Sequence, residues 1–122
     1  MGIKILVTED SATILQMLKG TLSEAGYEVI AASDGQQALD LARTEKPDLI
    51  MLDVMLPKID GYKVCRMLKF DERYKAIPII MLTGRTKESD EQTGLEVGAN
   101  AYIKKPFQPE TIIEKIKELL TK

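Results

Sequence analysis

The chain has 122 residues, 44% of them apolar and 30% charged, which suits one soluble domain with a buried core and leaves no room for a second. Its 17 lysines and arginines against 19 aspartates and glutamates give a net charge of −2, without the basic block that a nucleic acid or an anionic membrane calls for. There is no histidine, which removes His-containing triads, histidine metal ligands and phosphohistidine on this chain; the one cysteine, Cys65, has no partner for an internal disulfide and reads as a small buried apolar residue.

Five short apolar segments alternate with amphipathic ones. IKILVT (3–8) comes first, and Ile14, Leu15, Leu18 and Leu22 then keep helical spacing after the candidate caps Asp10 and Ser11, with Gly26 as the stop. YEVIAA (27–32) precedes a weaker helical pattern over 35–45, carried by Ala38, Leu39, Leu41 and Ala42 and ended before Pro47. DLIMLD (48–53) leads through Pro57 to a third helix, which starts near Asp60 and bears Val64, Met67 and Leu68. IPIIMLT (77–83) precedes KESDEQTGLEV (87–97), a fourth helical segment with few apolar anchors. Gly94 inside it costs roughly 1 kcal/mol against alanine, so this helix is expected to be loosely held. AYIKK (101–105) is followed by the best-defined helix, opened by Pro109 and striped by Ile112, Ile116, Leu119 and Leu120.

Apolar runs of this kind predict strands buried on both faces, and their alternation with helices predicts right-handed βαβ crossovers. The expected fold is therefore α/β: a flavodoxin-like (βα)5 doubly wound parallel sheet of strand order 2-1-3-4-5 with helices on both faces, residues 1–122 forming a single domain. No apolar stretch reaches the ~20 residues of a membrane span. The N-terminal MGIKILV lacks the features of a signal peptide, so the expected location is cytoplasmic.

In such a sheet the working crevice lies beyond the carboxyl ends of the strands, near the switch point between strands 1 and 3. Strand 1 ends in Thr8, Glu9 and Asp10, strand 3 in Asp53, strand 4 in Thr83, and strand 5 in Lys104, Lys105 and Pro106. Carboxylates gathered there repel one another, so either some stay protonated or a cation joins them. Mg²⁺ is the economical cation, with Asp10 and Asp53 as direct ligands, Glu9 acting through water and a backbone carbonyl near Met55 completing the set. A transferring phosphoryl group spreads charge over three equatorial oxygens. Mg²⁺, Lys105 and the Thr83 hydroxyl would meet one each, with Asp53 as nucleophile and the lysine and threonine on the side of Asp53 away from the metal. Taken singly, Asp10 is a plausible helix cap, Thr83 an ordinary strand residue and Lys105 a surface lysine; the specificity lies in the joint arrangement.

VTEDS at 7–11, LDVMLPKIDG at 52–61, MLTG at 81–84 and YIKKPF at 102–107 resemble the motifs of response-regulator receiver domains, the CheY-like family of two-component signalling, over nearly the whole chain. The resemblance implies that Asp53 accepts phosphate from a phosphohistidine on a sensor histidine kinase or histidine phosphotransfer protein. It assigns Glu9, Asp10, Asp53 and the Met55 carbonyl to Mg²⁺, and Lys105 to the phosphoryl group. It also implies a cis bond before Pro106. The switch it implies couples Thr83 to Tyr102, whose ring turns inward and changes the surface of the fourth helix, fifth strand and last helix, where a downstream protein target binds. A fixed half-buried Tyr102 is the alternative. Two departures stand out: the first acid is Glu9 rather than the commoner Asp, and GANAY (98–102) lacks the paired acids of regulators that dimerise through this face. A monomer is therefore expected, with phosphorylation-dependent dimerisation as the alternative. Met55 and Arg85 are the positions that would tune phosphate lifetime.

The expected role is a phosphoacceptor module without an attached output domain, not a turnover enzyme; a piece of a longer regulator is the alternative. A haloacid dehalogenase-type hydrolase would need an acid where Met55 stands. A flavin or nucleotide module would need phosphate-binding amides where the loop presents Glu9 and Asp10.

Overall fold

A computed structural model describes residues 2–84 and 98–121. The elements run β1 (Lys4–Thr8), α1 (Ala12–Glu24), β2 (Glu28–Ala32), α2 (Gly35–Glu45), β3 (Leu49–Asp53), α3 (Gly61–Lys69), β4 (Ile79–Thr83), β5 (Ala101–Lys104) and a C-terminal helix, α4 (Pro109–Leu120). The segment 87–97, expected as a loosely held helix, and Arg85 both lie outside the described residues. The five strands are all parallel and ordered β2-β1-β3-β4-β5, the order the alternating pattern predicts.

Side-chain alternation along the strands divides the core in two. Leu6, Ile50, Leu52, Ile79 and Met81 face Ala38, Leu39 and Ala42 of α2 and Val64, Cys65 and Leu68 of α3. Ile5, Val7, Met51, Ile80, Leu82 and Ile103 face Leu18 and Leu22 of α1 and Ile112 and Ile116 of the C-terminal helix. Each such fully buried aliphatic side chain contributes about 1.5–3 kcal/mol relative to exposure. The expectation of burial on both faces holds for the inner strands β1, β3 and β4 and fails for β2 and β5. Those two are the sheet edges, where only one side of the strand has a neighbour. Met67 is likewise corrected: it is exposed, and Cys65 takes the buried place beside Val64 and Leu68 on α3.

The helix starts follow local chemistry. The Ser11 hydroxyl accepts from the Ile14 amide at 3.4 Å, the Asp34 carboxylate from Gln37 at 2.8 Å, and the Asp60 carboxylate from Lys63 at 3.0 Å. Ser11 rather than Asp10 caps α1, which leaves the Asp10 carboxylate outside the helix. Pro109 opens the C-terminal helix in its first turn.

Two glycines let the loop after β3 lie close. A Cβ on Gly61 would collide with the Asp53 carbonyl, and one on Gly35 with the Ile59 carbonyl, where the Gly35 amide also donates to the Pro57 carbonyl at 3.2 Å. The α2 start and the α3 start therefore clamp residues 54–60 against the tip of β3. Replacing Gly35 by alanine should cost about 1–3 kcal/mol through this clash. Gly20 is a control: it lies in mid-α1 with nothing within 4 Å of the added carbon, and its replacement by alanine should stabilise by about 0.5–1 kcal/mol. Urea midpoints for the two variants check this, and shifts of the same sign would contradict it. Burial pushes the Cys65 thiol up to about 12, outweighing the nearby Lys69 charge. Its reaction with a disulfide reagent should be at least about a hundredfold slower in the folded protein than in urea, as measured by thiolate release.

Candidate functional site

The parallel topology brings the carboxyl ends of β1, β3, β4 and β5 to one edge of the sheet. Val7, Met51 and Ile103 belong to the core on the α1 side, and Glu9, Asp53 and Lys105 each stand two residues further along, on the same face. Thr83 stands two residues beyond Met81 and shares the opposite face with Tyr102. The crevice is thus supplied from both faces of the sheet.

Glu9 follows β1 directly and is only 1% exposed. Its amide donates to the Ala32 carbonyl at 3.1 Å, which fixes the backbone, and one carboxylate oxygen accepts from the Ser11 amide at 3.1 Å. The other accepts from Lys105 Nζ at 2.7 Å. Asp53 ends β3 at 4% exposed; its Oδ1 accepts from the Met55 amide at 3.3 Å and its Oδ2 lies 3.3 Å from Lys105 Nζ. Lys105 is held from behind by its own amide, which donates to the Thr83 carbonyl at 2.6 Å, and its peptide bond to Pro106 is cis.

The lysine therefore sits between the two buried acids, and not on the far side of Asp53 as the strand positions alone suggested. Two buried carboxylates need a compensating charge, and among the described residues Lys105 is the cation within reach of both. Burial raises the Glu9 carboxyl above its usual value, with the Lys105 hydrogen bond and the Ser11 amide pulling it back and the Asp53 charge adding to the rise. Burial works in the opposite sense on Lys105, but the hydrogen bond to Glu9 and the charges of Asp53 and Glu9 outweigh it, so the ammonium stays charged to higher pH than usual.

One carboxylate oxygen each from Glu9, Asp10 and Asp53 lies within 4.8 Å of the others, with Asp10 exposed at the mouth. An all-oxygen, multiply anionic donor set of this kind suits a hard divalent cation such as Mg²⁺. Met55 is exposed two residues beyond Asp53, with its amide turned toward the Asp53 carboxylate. Thr83 is buried at the tip of β4, one residue past the register partner of Asp53. Tyr102 is half-buried, and its hydroxyl meets that of Tyr62 at 2.8 Å. Tyr62 carries no motif signal, because a tyrosine in the first turn of a helix is unremarkable until the fold sets it beside another hydroxyl.

Among the described residues no helix is long and apolar enough to cross a membrane. A family model described as the response regulator receiver domain matches residues 5–117. The alkaline phosphatase synthesis transcriptional regulatory protein PhoP of Bacillus subtilis is 48% identical over 120 residues, covering 98% of this chain and 49% of PhoP. The chain spans about half the length of the curated relatives it matches. A putative response regulator from Chloroflexus aurantiacus superposes with a TM-score of 0.95 at 37% identity, covering 100% of both chains. The receiver domain of the sensor histidine kinase PA1611 from Pseudomonas aeruginosa does so with a TM-score of 0.93 at 30% identity over 100% of both chains, and that structure has a magnesium ion coordinated in its active-site cleft. Fold, motif positions and relatives agree, and the chain belongs to the response regulator receiver domain family of two-component signalling.

Proposed function

We propose that this receiver is a phosphoryl-accepting switch in which Asp53 takes a phosphoryl group from a phosphohistidine on a partner kinase or histidine phosphotransfer protein. The observation that carries the reading is the Asp53 carboxylate itself, nearly buried at a strand tip yet facing a crevice where Lys105, Glu9 and Asp10 converge. In the transfer, an Asp53 oxygen forms an O–P bond as the N–P bond of the donor breaks, and the electron pair returns to the imidazole nitrogen. Glu9, Asp10, Asp53 and the Met55 carbonyl are the groups that would hold Mg²⁺, which when bound would supply positive charge beside the phosphoryl oxygens and screen the acids from one another.

The chain's own residues do the rest. The Met55 amide holds one Asp53 oxygen in place, which orients the other. Lys105, already 3.3 Å from Asp53, can follow the new charge by leaving Glu9 for a phosphoryl oxygen. The Thr83 hydroxyl approaches from the other face of the sheet and donates to a further oxygen. Its movement is the signal: it favours the inward setting of the Tyr102 ring on the same face, and so shifts the surface of β5, the C-terminal helix and the segment between β4 and β5. A downstream protein reads that surface, in keeping with a net charge of −2 that gives the receiver no phosphate-backbone footprint of its own. The chain accepts the group, promotes its own phosphorylation and dephosphorylation, and turns over no separate substrate. It acts in the cytoplasm as a monomer.

Incubation with acetyl phosphate and Mg²⁺ should add one phosphoryl mass to the intact protein. Asp53→Asn should abolish it and Thr83→Ala should slow it by about a hundredfold; equal labelling of Asp53→Asn contradicts the nucleophile assignment. Removal of the ammonium in Lys105→Met leaves Glu9 and Asp53 buried without their countercharge. In divalent-free buffer at neutral pH this should cost about 3 kcal/mol in urea unfolding, and saturating Mg²⁺ should recover most of it. An unchanged midpoint contradicts the electrostatic account.

A further inference from the structure

Tyr102 stands on the edge strand β5 opposite Met81 of β4, and its ring packs against the core shared with α2 and α3. Its hydroxyl lies 2.8 Å from that of Tyr62, in the first turn of α3. To reach α3 from the sheet edge the ring must lie over β4, on the face that also carries Thr83. The two residues are far apart in the chain, both pack against the same core, and their hydroxyls meet in a directed hydrogen bond between two half-buried phenols. An outward swing of Tyr102 past the edge of the sheet breaks it.

We infer that Tyr62 is a positioning residue for the switch, its hydroxyl holding the Tyr102 ring inward over β4 and so biasing the chain toward the arrangement that accepts a phosphoryl group. This rests on the reading of Thr83 and Tyr102 as the relay. If inward Tyr102 favours occupancy of Asp53, occupancy of Asp53 favours inward Tyr102 by the same factor, and a hydroxyl that stabilises the inward ring tightens the site. One neutral hydrogen bond sets the scale, roughly two- to tenfold in an equilibrium constant.

The test uses the whole protein with ring-¹³C tyrosine, titrated with beryllofluoride and Mg²⁺ as a phosphoryl analogue, comparing wild type, Tyr62→Phe, Tyr102→Phe and the double variant. Phenylalanine keeps the ring at each position, and far-UV circular dichroism checks the fold. We expect beryllofluoride to shift the Tyr102 ring signals in wild type, and Tyr62→Phe to weaken apparent beryllofluoride affinity roughly two- to tenfold. Tyr62→Phe should add nothing in the Tyr102→Phe background, because the partner hydroxyl is already gone. A merely structural role for Tyr62 gives effects that add in the double variant, and overturns the inference. So does wild-type affinity in Tyr62→Phe while Tyr102 still responds; the relay reading survives that result. A wild-type Tyr102 that ignores beryllofluoride sinks the relay reading, and the inference with it.

Discussion

The ion pair of Lys105 with Glu9 and Asp53 is the constraint around which the rest of the site is arranged. Two carboxylates at 1% and 4% exposure would each be costly to keep charged, and the ammonium 2.7 Å from one and 3.3 Å from the other offsets that cost. None of the three groups is near the others in sequence except through the fold. Parallel strands with helical crossovers deliver the tips of β1, β3 and β5 to the same edge, and the buried strands beneath make that delivery rigid. The arrangement is poised because one ammonium offsets only part of the acids' charge and leaves the crevice net negative. A divalent cation among the acids and an anionic group on Asp53 would each pull on the same network, the first relieving the acids of their dependence on Lys105 and the second giving the lysine a new partner.

The sheet also divides the site residues between its two faces. Glu9, Asp53 and Lys105 continue the face packed against α1 and the C-terminal helix, whereas Thr83 and Tyr102 continue the face packed against α2 and α3. Strand alternation alone produces this partition, since neighbouring residues at a strand tip point to opposite sides. Lys105 links the two faces through its backbone, its amide bonded to the Thr83 carbonyl while its side chain reaches the acids. A charge change on one side thus has a short covalent and hydrogen-bonded route to the other. Gly35 and Gly61 serve the same end from the rear, letting the loop that bears Met55 lie hard against β3.

Much of this was legible before any coordinates. Apolar runs marked each strand to within two residues, Ser11, Asp60 and Pro109 marked helix starts, and the acids, Thr83 and Lys105 stood at the tips that the topology gathers. What stayed hidden depended on neighbours distant in sequence. The exposure of β2 and β5 follows from their place at the edges, which a local pattern does not encode. Cys65 is buried as its type suggests, but Met67 is apolar in the same amphipathic stretch, and only the direction from which the sheet approaches α3 decides that it faces solvent. The lysine's seat between Glu9 and Asp53 is a property of three loops at once. The meeting of Tyr62 and Tyr102 links a helix start to an edge strand, with no spacing rule to announce it. Asp10, a reasonable helix cap by type, is spared that duty by Ser11 and remains at the mouth of the crevice.

The central claim is that the crevice acids form one divalent-cation site whose electrostatics include Lys105. Titration of the ¹⁵N-labelled protein with Mg²⁺, followed amide by amide, addresses it directly. The account predicts a single saturable event, with the largest shifts at residues 9–11, 53–55 and 105 and little change in the outer turns of α1 and α2. A weak, non-saturating drift spread over the acidic surface, or the absence of shifts at 53 and 105, would contradict it.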